Sequence, residues 1–115
     1  MDLAAPTGRV LGLQDIAPYA DYSAALDHVG VVGTFVDLAQ RRQGIGRRLA
    51  QATFAAARDA GYEKLFASIR ADNPAAQRYY GSLGFTTIGI ARRQARFRQG
   101  DGWRYVDEIL VELWL

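Results

Sequence analysis

The chain contains no cysteine, which excludes disulfides and thiolate-held metal and fits a reducing compartment. No apolar run reaches the roughly 18 residues of a membrane-crossing helix. The start Met1-Asp2-Leu3-Ala4-Ala5-Pro6 has neither the basic opening nor the long apolar stretch of a signal peptide. A cytoplasmic location without a membrane partner is therefore expected. Lysine is nearly absent, Lys64 being the one example, and His28 is the one histidine. The net charge is only +2 although the pI is near 9.2, so no nucleic-acid partner is expected. The cations are almost all arginine, whose planar fork suits phosphate. Genomic base composition, which enriches Arg and Ala together, accounts for most of that bias.

What is present is ordinary for a globular chain. Of 115 residues 50% are apolar, enough for one domain over residues 1–115 with a core of its own. Residues 8–13 read as a short strand, and residues 15–27, with Pro18, as a loop with a turn of helix. Residues 28–38 are rich in Val, Thr and Phe and read as a buried strand. Residues 46–60 read as a helix whose inner face is Ile45, Leu49, Ala52, Ala56 and Ala60, closed by Gly61. Leu65, Ala67 and Ile69 alternate with polar neighbours as in a strand. Asn73 then caps a helix with Pro74 at its first position, Ala76, Tyr80 and Leu83 on one face, and Gly84 at its end. Residues 86–97 and 103–115 read as two strands joined by Gln99-Gly100-Asp101-Gly102. The order implies an α/β layer structure with a partly antiparallel sheet.

The segment Arg41-Arg42-Gln43-Gly44-Ile45-Gly46 follows a strand and opens a helix. Amides of a first helical turn lack intrahelical partners, and the helix dipole places about half a positive charge there. Such a start binds anions. Gly44 and Gly46 let backbone approach the ligand, and Arg41, Arg42, Arg47 and Arg48 can neutralise phosphates. A Walker loop is excluded because no Lys-Ser or Lys-Thr follows the glycines. A dinucleotide fingerprint is excluded because Leu49 stands at its third glycine. On its own the turn is equally well an ordinary tight turn with surface arginines.

A second motif lies one helix and one strand downstream: Asn73, Ala76, Tyr80, Gly84 and Phe85, in the form Asn-x-x-Ala-x-x-x-Tyr-x-x-x-Gly-Phe. With Arg41, Gly44 and Gly46 in the form Arg-x-x-Gly-x-Gly, it resembles the GNAT superfamily of acyl-CoA-dependent N-acyltransferases. The resemblance implies a mixed, mostly antiparallel sheet flanked by helices, with acetyl-CoA as co-substrate. It implies direct attack by a primary amine of a small-molecule acceptor, with no covalent enzyme intermediate. Phe35, Val36 and Leu38 would pair with the pantetheine arm, and Arg41, Arg42, Gln43, Gly44, Ile45, Gly46 and Arg47 would hold the pyrophosphate. Asn73 would bond pantetheine or adjoining backbone, or serve as a cap only. Tyr80 matches the general acid: a phenol pKa near 10 balances that of a departing thiol. Its bland alternative is a core tyrosine. Asp37 or Glu108 is the candidate base, beside Asp107 and His28, of which His28 reads as structural.

The chain departs from the family at its start. Only seven residues precede Gly8, so the usual first strand and two helices are expected to be lacking, and much of the acceptor-side wall with them. A short form would expose sheet, so a homodimer is expected, with the apolar strand 109–115 as one interface. An acyl-CoA-binding module without turnover is the alternative function.

Overall fold

The computed structural model of the chain describes residues 12–36 and 45–115. Its elements are β1 (Gly12–Pro18), a 3-10 turn (Ala24–Leu26), β2 (Val29–Val36), α1 (Ile45–Asp59), β3 (Lys64–Arg70), α2 (Pro74–Ser82), β4 (Thr86–Gln99) and β5 (Gly102–Trp114). The strands run in the order β1-β2-β3-β5-β4 in a mixed sheet. Contacts divide the chain into two units, residues 1–66 with Trp114 and Leu115, and residues 67–113.

In the first unit β1 and β2 are antiparallel from Gly12↔Val36 to Pro18↔Gly30. The parallel ladder of β2 with β3 covers Val29↔Lys64 to Val31↔Phe66. Gly30 is required where these strands meet: a Cβ there would stand 2.8 Å from the Ile16 Cγ2 and 3.2 Å from Leu65 and Tyr62 side-chain carbons. Residues 15–27 differ from the expected loop, because β1 continues to Pro18 before the short turn that Ser23 caps. Gln14-Asp15-Ile16-Ala17 shows little strand alternation, and the ladder with β2 decides its conformation. Pro18 is tolerated because it ends the strand.

Helix α1 buries Ala50, Thr53, Phe54 and Ala57. This face is turned by one residue from the expected one: Leu49 and Ala56 are half-buried, and Ala52 and Ala60 are exposed. Arg47, Arg48, Gln51, Arg58 and Asp59 mark the exposed side of this helix, but alanines flank that side in two adjacent stripes, and their spacing alone does not fix the inner one. Phe54, the one large apolar side chain in mid-helix, does. The fully buried Thr53 hydroxyl has no hydrogen-bond partner among the described residues. The helix closes at Gly61, φ 98°, where Gly61 N–H donates to Arg58 O and Tyr62 N–H to Ala57 O, both at 3.0 Å. That is a Schellman end.

In the second unit Ala67 and Ile69 of β3 are buried, as their alternation implies. Tyr80, Phe85, Val106 and Val111 complete its core. Burying an aromatic ring such as Phe85 stabilises by about 2–3 kcal/mol. Hairpin β4–β5 is antiparallel from Thr86↔Glu112 to Gln99↔Gly102, with irregularities between Thr87 and Gly89 and between Ala91 and Ala95. Arg93 lies in the second of these with φ 51°. Strand β5 stands between β3 and β4, so its backbone edges are taken within the sheet. No described helix is long and apolar enough to cross a membrane.

Candidate active site

Of the expected cofactor residues, Leu38, Arg41, Arg42, Gln43 and Gly44 lie outside the described residues, as does the candidate base Asp37. The segment they form is flanked by described backbone on both sides. Phe35 and Val36 end β2, opposite Leu13 and Gly12 of β1. The ladder with β1 thus runs to Val36, whereas the ladder with β3 covers only Val29 to Val31. Ile45, Gly46 and Arg47 form the first turn of α1. That turn contains no acidic residue, and Arg47 and Arg48 are exposed. A helix start at Ile45-Gly46 with no carboxylate in its first turn leaves the positive end of the dipole unneutralised by acidic side chains of that turn.

Helix α2 begins differently. The Asn73 side-chain Oδ1 accepts the Ala76 N–H at 3.1 Å, and Pro74, lacking an N–H, takes the first helical position. Gln77 Nε2 donates to Ala71 O at 3.0 Å and ties the helix to the turn before it. The expected face is present: Tyr80 is buried, with Ala76 and Leu83 half-buried beside it. At its end Gly84 has φ 101°, its N–H donates to Gly81 O, and Phe85 N–H donates to Tyr80 O, both at 3.1 Å. The Tyr80 and Phe85 rings then meet edge to face at 5.1 Å, the apolar contact that accompanies this kind of end. Gly84 and Phe85 therefore orient Tyr80, and Tyr79, half-buried, meets it at 5.8 Å.

The carboxylates sort by what they already hold. Asp107 Oδ1 accepts the Arg93 N–H at 2.8 Å, and its other oxygen lies 3.7 Å from Arg92. Its main-chain O also accepts from Ala71 N–H at 2.8 Å. Asp107 thus fixes the irregular stretch of β4, where a non-glycine residue sits at positive φ. Glu108 is half-buried and adds to the negative field at Arg70. The main-chain O of His28 accepts from Glu63 and Lys64, the structural use expected of that position.

Sequence reasoning missed Asp72. It accepts two hydrogen bonds from Arg70, at 3.0 and 2.8 Å, and one from Arg104 at 2.8 Å. These bonds hold its carboxyl down at about 2, with Arg70 the larger cause. The cluster pins the β3–α2 corner on which Asn73 sits. Asp72 precedes the cap residue in sequence, but nothing local identifies Arg104 as its partner. Among the described residues no three His, Asp or Glu side chains gather as a metal site.

The family model described as the acetyltransferase (GNAT) family matches residues 3–85. The N-alpha-acetyltransferase RimI of Mycobacterium tuberculosis is 30% identical over 110 residues, covering 89% of this chain and 67% of that protein. The ribosomal-protein-alanine N-acetyltransferase structure from Brucella melitensis superposes with TM-score 0.78 at 27% identity, over 97% of this chain and 66% of that one. The yncA structure from Salmonella typhimurium, solved with its cofactor acetyl-CoA, is alike in fold, with TM-score 0.77 at 24% identity over 93% of this chain and 59% of that one. The chain thus spans about two thirds or less of the length of these structures.

Proposed function

Because the chain belongs to the acetyltransferase (GNAT) family, we propose that it moves an acetyl group from acetyl-CoA to a primary amine by direct attack. The observation that carries this reading is the joint presence of a helix start free of acidic residues at Ile45-Gly46 and a capped helix that orients a buried Tyr80. Both fit acetyl-CoA: the first suits an anion, and the second offers a phenol. Bound acetyl-CoA supplies an activated thioester carbonyl and a thiol leaving group. The α1 amides with Arg41, Arg42, Gln43, Gly44 and Arg47 hold its pyrophosphate. Phe35, Val36 and Leu38 bind its pantetheine through their backbone, and Asn73 adds a hydrogen bond to pantetheine. The amine nitrogen forms the new C–N bond as the C–S bond breaks, and the Tyr80 hydroxyl gives its proton to the departing sulfur. The proton lost by the amine passes to Glu108 or Asp37. Asp107 is a poor base because its carboxylate already accepts from the Arg93 N–H.

For the acceptor, the family resemblance suggests a small-molecule amine. The 30% likeness to RimI favours instead the α-amino group of a polypeptide. A homodimer in the cytoplasm belongs to the same proposal, with its seam away from the paired edges of β5. Thiol release from acetyl-CoA, measured over a panel of small amines and short peptides, tests the reaction and picks the acceptor. Tyr80→Phe is expected to lower turnover by roughly 100-fold and leave acetyl-CoA affinity by calorimetry unchanged. An unchanged rate would leave Tyr80 a packing residue. Acetyl-CoA binding without thiol release for any amine would establish the binding module instead.

A further inference from the structure

The two faces of the β4–β5 hairpin near its tip are used differently. Cross-strand pairs Ala95↔Val106 and Phe97↔Arg104 share one face, and Arg96↔Tyr105 and Arg98↔Trp103 share the other. The first face is occupied from within its own unit. Val106 is buried, Arg70 stacks on Phe97 at 4.1 Å, and Arg104 bonds Asp72. The second face leaves Trp103 43% and Tyr105 42% exposed. Among the described residues, the recorded ring contacts there are with arginines of the same hairpin. Arg96 lies 4.0 Å and Arg98 4.8 Å from the Trp103 ring centre, and Arg93 lies 4.0 Å from that of Tyr105.

We propose that this face, built from Arg93, Arg96 and Arg98 on Trp103 and Tyr105, docks an extended acidic polypeptide segment lying along the outer edge of β4. Three observations support it. First, the charge is unbalanced: among the described residues no carboxylate, Asp101 of the hairpin turn included, pairs with Arg96 or Arg98, and Asp107 is engaged by Arg92 and the Arg93 backbone. Arg96 and Arg98, two apart on one strand, place two positive charges side by side, which an acidic partner would neutralise. Second, a guanidinium laid on a ring gives up rotamer freedom in advance and keeps its N–H edge for a carboxylate, which it can hold with two bonds. Third, β4 is the last strand in the sheet order, so a strand can be added beside it. Arg96 and Arg98 are two residues apart, about 6.6 Å along a strand, which is also the spacing of alternate carboxylates on an extended peptide. A nucleic-acid strand would need ring faces open for its bases, and here guanidiniums stack on them.

Fluorescence anisotropy of the full chain with a labelled peptide of alternating Glu and Thr tests the proposal, beside the same peptide with Gln for Glu and a single-stranded oligonucleotide. The Glu peptide is expected to bind at least ~10-fold more tightly than the Gln peptide, and more weakly as salt rises. Arg96→Glu with Arg98→Glu should remove binding. Arg96→Lys with Arg98→Lys should weaken it several-fold, since lysine keeps charge but not the fork. Arg58→Glu, the same kind of charge reversal on exposed α1 surface, should leave it intact. Melting followed by circular dichroism separates lost binding from lost folding. Equal binding of the Gln peptide, full binding by the Glu variants, or tighter binding of the oligonucleotide would overturn the proposal.

Discussion

Helices α1 and α2 end alike and begin differently. Each closes on a glycine at positive φ, Gly61 and Gly84, with the same two backbone bonds across the end. At the start, α2 satisfies the Ala76 amide through Asn73 and has Pro74, without an amide N–H, at its first position. Helix α1 begins on Ile45-Gly46 with no acid in its first turn and with Arg47 and Arg48 exposed. The difference teaches that a helix end and a helix start answer to different demands. Chain reversal is a steric problem that glycine solves wherever it occurs. An N-terminus is an electrostatic resource, which a side chain consumes or a ligand uses. The helix with 15 residues places no acid in its first turn, and the helix with nine uses a side-chain cap.

Five substitutions break or sharpen this contrast. The largest effect is expected from Gly46→Trp, which fills the open start: acetyl-CoA affinity by calorimetry should fall on the order of 100-fold or more, about 3 kcal/mol, with the melting temperature nearly unchanged. Retained affinity would show that the anion does not sit there. Next come the two ends. Gly84→Ala and Gly61→Ala each force a Cβ into positive φ and should cost about 1–2 kcal/mol in denaturant unfolding. A Cβ at Gly84 meets Leu113 Cδ1 only at an ordinary 3.5 Å, and one at Gly61 meets nothing within 4 Å, so the two costs should match. A much larger loss at Gly84 would mean that the Tyr80–Phe85 contact it sets carries more of the second unit than backbone strain explains.

Removing the cap by Asn73→Ala should cost about 1 kcal/mol of stability. If Asn73 serves the cofactor as well, affinity for acetyl-CoA falls with it, whereas a cap alone would leave affinity untouched. The smallest effect concerns Asp72→Asn. The carboxyl is held down at about 2, below its unfolded value, so its stabilisation is present above roughly pH 4 and is lost as pH falls through about 2. The stability gap between Asp72→Asn and the parent should therefore be widest near neutrality and close on acidification. A gap that does not change with pH would show that the Arg70 and Arg104 bonds act through shape alone.

The starts and stops of the helices were legible in the sequence because each depends on local chemistry. Asn73-Pro74, Gly61 and Gly84 act on their nearest neighbours, and α1 and α2 begin and end within a residue of where those signals place them. The alternation Leu65, Ala67, Ile69 was likewise enough for β3, since a two-residue period needs only a buried face to become a strand. The face of α1 was not legible. Alanine at 52, 56 and 60 and at 50 and 57 makes two adjacent stripes beside the face of Arg47, Arg48 and Arg58, and packing with Phe54 chooses between them.

The site divides along the same line. Tyr80 could be picked out by its spacing from Asn73 and Gly84, because one helical face and one reversal lie between them. The roles of the acids could not. Asp107 and Glu108 are adjacent in sequence, and only the cross-strand register and the irregular stretch at Arg93 give Asp107 a backbone partner. Asp72 and Arg104 are 32 residues apart and meet through the return of the hairpin. The sequence by itself determined the helix limits, the strand alternation of β3 and the buried face of α2, since propensity, capping and periodicity act over a few residues. Tertiary structure decided which face is buried, which carboxylates are occupied and which arginines are left without one, because those depend on pairings the chain makes only when distant strands are brought into register.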